Sequence, residues 1–167
     1  ISACLVGSEM CIRDSLNLNR IFPGKKDGFI SERIACALTT EVTLKSQCFI
    51  DMHGGGNVLG IGPLASLEGG EGEDAMMLAK AWGVELIWKS APGKGFSTSP
   101  ALENGIRASL AEMGGESRYN EDSVNTFLSG LRNIMKYLGL LEGQPEFRQK
   151  YILGDGDFIS CSSGGFW

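Results

Sequence analysis

The chain has 167 residues, 15 Lys plus Arg against 20 Asp plus Glu, 43% hydrophobic residues, 24 Gly and a single His. That length suits one domain with a core of its own, and a mean hydropathy near zero without an apolar run approaching ~18 residues excludes a membrane-spanning helix. A net charge of -5 argues against a nucleic-acid partner, because affinity for phosphate backbones rests on clustered Lys and Arg. Five Cys without paired spacing form neither a disulfide framework nor a zinc knuckle, so a reducing compartment, the cytoplasm, is the expected location.

The first stretch stands apart. Residues 4–15 carry no helical or strand period and no signal-peptide charge pattern. The run Met10-Cys11-Ile12-Arg13-Asp14 matches one translated frame of a transposase-type sequencing adapter, and Leu5-Val6-Gly7-Ser8-Glu9 matches the sequence upstream of it. The expectation is that residues 1–15 are a translation artefact, the alternative being a genuine N-terminal tail. Without them the chain keeps 14 basic and 18 acidic residues and three Cys: Cys36, Cys48 and Cys161.

Past the turn signal Phe22-Pro23-Gly24, Ser31 is placed to cap a helix with Ile34, Ala37, Leu38 and Val42 on one face, ending near Lys45. Cys48 to Met52 reads as a buried strand closed by Gly54-Gly55-Gly56, and the Gly-rich stretch 54–73 as a long loop. Asp74 is placed to cap a helix with Ala75, Leu78, Ala79 and Trp82 on one face and Gly83 behind it. Residues 84–88 read as a strand, Ser99-Pro100 as the start of a short helix, and 107–112 as a third strand. Asn120 opens the strongest helix, whose stripe runs Val124, Phe127, Leu128, Leu131, Ile134, Met135 and Leu138. A last strand is expected at 149–153.

Alternating helices and strands imply an α/β fold, a mixed and mainly parallel sheet with helices on both faces. Ligands bind beyond the carboxyl ends of such strands. His53 follows the first strand and Glu112 ends the third, which is the clearest clue to a site. Each residue also has a plainer reading, His53 as a structural hydrogen-bonding residue and Glu112 as a solvated strand end.

Three blocks occur in order: the segment from Leu16 through Asn19-Arg20 to Gly24, then Ile50-Asp51-Met52-His53-Gly54-Gly55, then Gly105-Ile106 leading to Ala111-Glu112-Met113-Gly114-Gly115. Together they resemble the succinylglutamate desuccinylase and aspartoacylase family of zinc-dependent, carboxypeptidase-like amidohydrolases. The resemblance implies hydrolysis of the amide bond of a small N-acyl amino acid. It further implies His53 as a Zn2+ ligand, Glu112 as catalytic general base and acid, and Asn19 and Arg20 as the substrate-binding pair. Residues 16–153 would then be a partial catalytic domain and 154–167 the start of a small β-rich domain. The family's other zinc ligands come from a His-x-x-Glu motif, and this chain has no His besides His53. The expectation is therefore an enzyme fragment, truncated at both ends and inactive alone, acting on a small molecule and compatible with a homo-oligomer.

A zinc carboxypeptidase acting on peptides is an alternative within the same chemistry. From other classes, a noncatalytic binding module would explain the missing ligands, and Gly60-x-Gly62-x-x-Ala65 mimics the loop of a nucleotide-binding oxidoreductase. Cys36 and Cys48 read as buried small hydrophobes, Asp51 as a partner sharing the face of His53, Arg118 as a selector of anionic substrates, and Asp155 with Asp157 as a tight turn.

Overall fold

The structure, a computed structural model, describes residues 14, 16–56, 59–69, 72–89 and 93–155. Five strands form one sheet: β1 (Cys48–His53), β2 (Gly60–Ser66), β3 (Leu86–Lys89), β4 (Arg107–Gly115) and β5 (Ile152–Asp155), in the spatial order β1-β4-β2-β3-β5. β4 lies parallel to β1 and antiparallel to β2, while β2-β3 and β3-β5 are parallel. The sheet is mixed and mostly parallel, as expected.

Four helices accompany it: α1 (Ile30–Glu41), α2 (Glu73–Ala81), α3 (Ser99–Glu103) and α4 (Glu121–Tyr137). α4 begins where the sequence places it, with the Asn120 side chain accepting the Ser123 N–H at 2.9 Å. α1 differs. Its N-cap is Phe29, whose N–H donates to the Glu32 carboxylate, and Ser31 sits inside the first turn. Ser31 is held there by Asp14, whose carboxylate accepts both the Ser31 N–H and hydroxyl at 2.8 Å. The buried face is Ser31, Ala35 and Thr39, while Ala37 and Val42 are exposed. The chain at Gly24 lies so close to the α1 backbone that a Cβ there would stand 2.2 Å from the Glu32 carbonyl. The helix ends at Glu41, and a separate 3-10 turn, Thr43–Lys45, leads into β1.

The 54–73 stretch is not one loop. β2 occupies its centre despite Gly60, Gly62 and Pro63, and its pairing with β4 shifts register between Ile61 and Leu64, where a Pro without a ladder N–H is tolerated. The glycines that mimic a nucleotide loop are therefore strand residues, which removes the structural basis of that alternative. β4 runs on to Gly115, and β5 starts three residues later than expected. Gly154 and Asp155 belong to β5; the rest of 154–167, with Asp157 and Cys161, and residues 1–13 and 15 lie outside the described residues.

Alternation along β4 divides the molecule. Ala111 and Met113 face the core, which Ala65, Leu67, Ile87, Leu78, Trp82 and Ile134 complete beneath α2 and α4. Trp82 donates its indole N–H to the Ser109 hydroxyl at 2.8 Å and meets Phe127 edge to face at 6.0 Å. α4 crosses at Gly130, where a Cβ would stand 2.7 Å from the Trp82 ring. From the other face, the lead-in to α3 reaches Asp51 through Ser97 and Glu68 through Thr98.

Candidate active site

Asp51 and His53, two apart on β1, project to the same side, away from the Trp82 core. The parallel register sets His53 opposite Glu112 of β4, and the antiparallel register sets Leu64 of β2 on the other flank of Glu112. The result is a row of three polar side chains across β1 and β4, at the carboxyl end of β1 and three residues before that of β4. His53 Nε2 lies 2.9 Å from Asp51 Oδ2 and Nδ1 lies 3.2 Å from Glu112 Oε1. All three are largely but not fully covered, at 19–24% exposure.

Burial alone pulls the His53 imidazole down, but the hydrogen bonds and negative charges of Asp51 and Glu112 outweigh it and push its pKa up to about 10. Burial likewise raises the Asp51 carboxyl, and its bond to His53 reverses this, holding it below the usual carboxylate range. The imidazole is thus charged at neutral pH, clamped between two carboxylates. Asp51 also accepts a hydrogen bond from the Ser97 hydroxyl.

Asn19 and Arg20 come from a 3-10 turn, Leu18–Arg20, which Asn17 caps by accepting the Asn19 N–H at 2.9 Å. The Asn19 side-chain oxygen accepts the Ser97 N–H at 2.7 Å. The exposed Arg20 guanidinium lies 4.6 Å over the Phe96 ring and donates to the Asn19 carbonyl at 2.6 Å. The two halves of the expected site are thereby brought to one place, with residues 95–97 between them.

Arg118 lies elsewhere, exposed beyond β4 and 3.6 Å from Glu116. Cys36 and Cys48 are half-buried, and burial raises the Cys48 thiol, consistent with an inert side chain. Sequence reasoning missed Ser97. A Ser in a Ser-Thr-Ser run ahead of a helix looks like capping material, and no spacing announces a contact 46 residues away in the chain.

The mixed α/β sheet carries His53 and Glu112 on adjacent strands, and comparison with known proteins places the chain in a family. The model of the succinylglutamate desuccinylase/aspartoacylase catalytic domain matches residues 8–138. An N-alpha-acetyl-L-2,4-diaminobutyric acid deacetylase of Halomonas elongata is 31% identical over 160 residues, covering 90% of this chain and 46% of that protein. Among solved structures, the product-bound ectoine utilization protein of Ruegeria pomeroyi superimposes with a TM-score of 0.75 at 24% identity, over 87% of this chain and 46% of that one. A succinylglutamate desuccinylase/aspartoacylase of Rhodobacter sphaeroides gives 0.73 at 24%, over 86% and 46%. The chain belongs to the succinylglutamate desuccinylase/aspartoacylase family. It spans about half the length of these relatives.

Proposed function

We propose that the protein hydrolyses the amide bond of small N-acyl amino acids, with Glu112 as the proton carrier and Asn19 and Arg20 as the substrate-carboxylate anchor. The observation that carries this reading is the pairing of His53 with Glu112 at 3.2 Å on adjacent strands, in a chain of this family. Glu112 Oε1 takes a proton from the attacking water and returns it to the leaving amine, the acid-base work a carboxylate at this position is suited to. Arg20 offers a planar fork for two parallel hydrogen bonds to a carboxylate, with its face steadied on Phe96. Asn19 commits its side-chain oxygen to Ser97, leaving its NH2 to donate to substrate.

Zinc, when bound, would polarise the amide carbonyl and lower the pKa of its water toward ~7. His53 offers one ligand position: on losing its proton, Nδ1, which here lies 3.2 Å from Glu112 Oε1, would be the nitrogen for a metal, with Asp51 orienting the ring through Nε2. Among the described residues no three His, Cys, Asp or Glu side chains are grouped to hold an ion, short of the three protein ligands a catalytic zinc takes.

The test is release of free amine from a panel of N-acetyl and N-succinyl amino acids by the chain rebuilt with the family's upstream His-x-x-Glu motif and supplied with zinc, with Glu112→Gln in parallel. Turnover that collapses in the variant is expected. Near-parental kcat in Glu112→Gln, or turnover of peptides in place of N-acyl amino acids, would overturn the reading.

A further inference from the structure

The two halves of the site are carried by segments far apart in the chain, and the strip 95–97 meets both. Gly95 accepts the Phe22 N–H at 3.0 Å and, at φ +91°, runs so close to the Arg20 carbonyl that a Cβ would stand 2.4 Å from it. Phe96 lies beneath the Arg20 guanidinium. Ser97 is 8% exposed, gives its N–H to the Asn19 side chain and its hydroxyl to Asp51. Asp51 in turn holds His53 Nε2, and His53 Nδ1 meets Glu112. A continuous line of hydrogen bonds therefore runs Asn19, Ser97, Asp51, His53, Glu112.

We propose that Ser97 is a positioning residue, the joint that fixes the Asn19-Arg20 anchor in register with the Asp51-His53-Glu112 row. It touches neither substrate nor reacting atoms. Its backbone sets where the anchor sits, and its hydroxyl fixes the Asp51 carboxylate by donating to Oδ2, the same oxygen that meets the imidazole. A carboxylate held by Arg20 would then present its amide at a fixed distance from Glu112, the requirement for oriented attack, where small misplacements are costly. This rests on the hydrolase reading for its purpose, though not for its test.

His53 is the single His of the chain, so imidazole nitrogen resonances report it without assignment ambiguity. In the metal-free 167-residue chain, Ser97→Ala is expected to shift the ring nitrogen facing Asp51 and speed solvent exchange of its N–H about fivefold, the factor one hydrogen bond of ordinary net strength corresponds to. Ser97→Thr, which keeps the hydroxyl, is expected to restore the parental signals. Asn19→Ala, which cuts the line at its other end, is expected to release the Ser97 amide to exchange and displace the same imidazole signals by a smaller amount. Unmoved imidazole signals in a folded Ser97→Ala would overturn the proposal. Should that variant unfold, unmoved signals in Asn19→Ala would overturn it equally. Neither readout needs substrate or metal, so the hydrolase reading fails separately, on amine release.

Discussion

Strand β4 serves two faces that solve opposite problems. On one, Ala111 and Met113 lie against Trp82, Leu78 and Ile134, every one of them at most 2% exposed. On the other, Glu112 and the neighbouring Asp51 and His53 form charged contacts that stay partly open to water. The closed face gains from every apolar contact and tolerates polar atoms only when paired, as the Trp82 indole is by Ser109. The open face sets a cation between two anions, an arrangement of modest net value for stability once desolvation is counted. Stability and chemistry are thus separated by a single step along the strand.

The largest effect that would sharpen this division is on activity. In the chain rebuilt with the family's upstream zinc motif, Glu112→Gln keeps size and hydrogen bonding and is expected to lower kcat for N-acyl amino acid hydrolysis by ~10²–10⁴-fold while leaving the denaturation midpoint nearly unchanged. Steady-state kinetics beside urea unfolding tests both halves, and a large loss of stability would show the two faces to be coupled. Trp82→Ala is expected to cost ~3–5 kcal/mol of stability in the same unfolding experiment. A cost below ~1 kcal/mol would mean that the core does not rest on α2 and α4 as described.

Gly130→Ala is subtler, because Ala is favoured over Gly within a helix by ~1 kcal/mol. The new Cβ would press on the Trp82 ring and carbonyl, at 2.7 and 2.8 Å, and overpacking of this kind costs ~1–3 kcal/mol. A net loss of thermal stability is expected, and a gain would show α4 to be free to slide. The smallest effect lies at the rim. Tyr137 donates its hydroxyl to Asp74 at 2.7 Å, and that bond, with burial and the Asp74 charge, raises its pKa from 10.0 to about 12. A group that holds its proton more tightly when folded contributes fully below pH 10, and its contribution is lost as pH rises from 10 toward 12. Tyr137→Phe is expected to cost ~1 kcal/mol at neutral pH and to flatten that alkaline decline in a pH series of melts.

Much of this was legible in the sequence, for reasons that differ by region. The α4 stripe and the Asn120 cap are local signals, and local signals survive folding. β1 and β4 were readable as strands from their apolar runs, but their ends were not: β1 includes His53, and β4 passes Glu112 to bury Met113 and pair Gly114 and Gly115 with β2. β2 was hidden: Gly60, Gly62 and Pro63 give a loop-like pattern, and only pairing with Gly114, Gly115 and Glu112 makes it a strand. The face of α1 misled in the opposite way. Its apolar spacing was real, but burial followed the close approach of Gly24 and the reach of Asp14, which are tertiary facts. Asp51 could be placed beside His53 by the two-residue period, whereas Ser97 could not be placed at all.

The antiparallel placement of β2 has a geometric result. β1 and β2 flank β4 on opposite sides, so the chain leaving His53 must vault across the end of β4 to begin β2. It is moored there by Gly55 to the Gly114 carbonyl at 3.2 Å, by Glu116 to Leu59 at 3.1 Å and by Ser117 to Gly56 at 3.0 Å. The described ends of that connection are thus tied to the backbone that continues β4 past Glu112. Those tethers join the start of β2 to the far end of β4, so the antiparallel pair is fastened at that end as well as along its ladder.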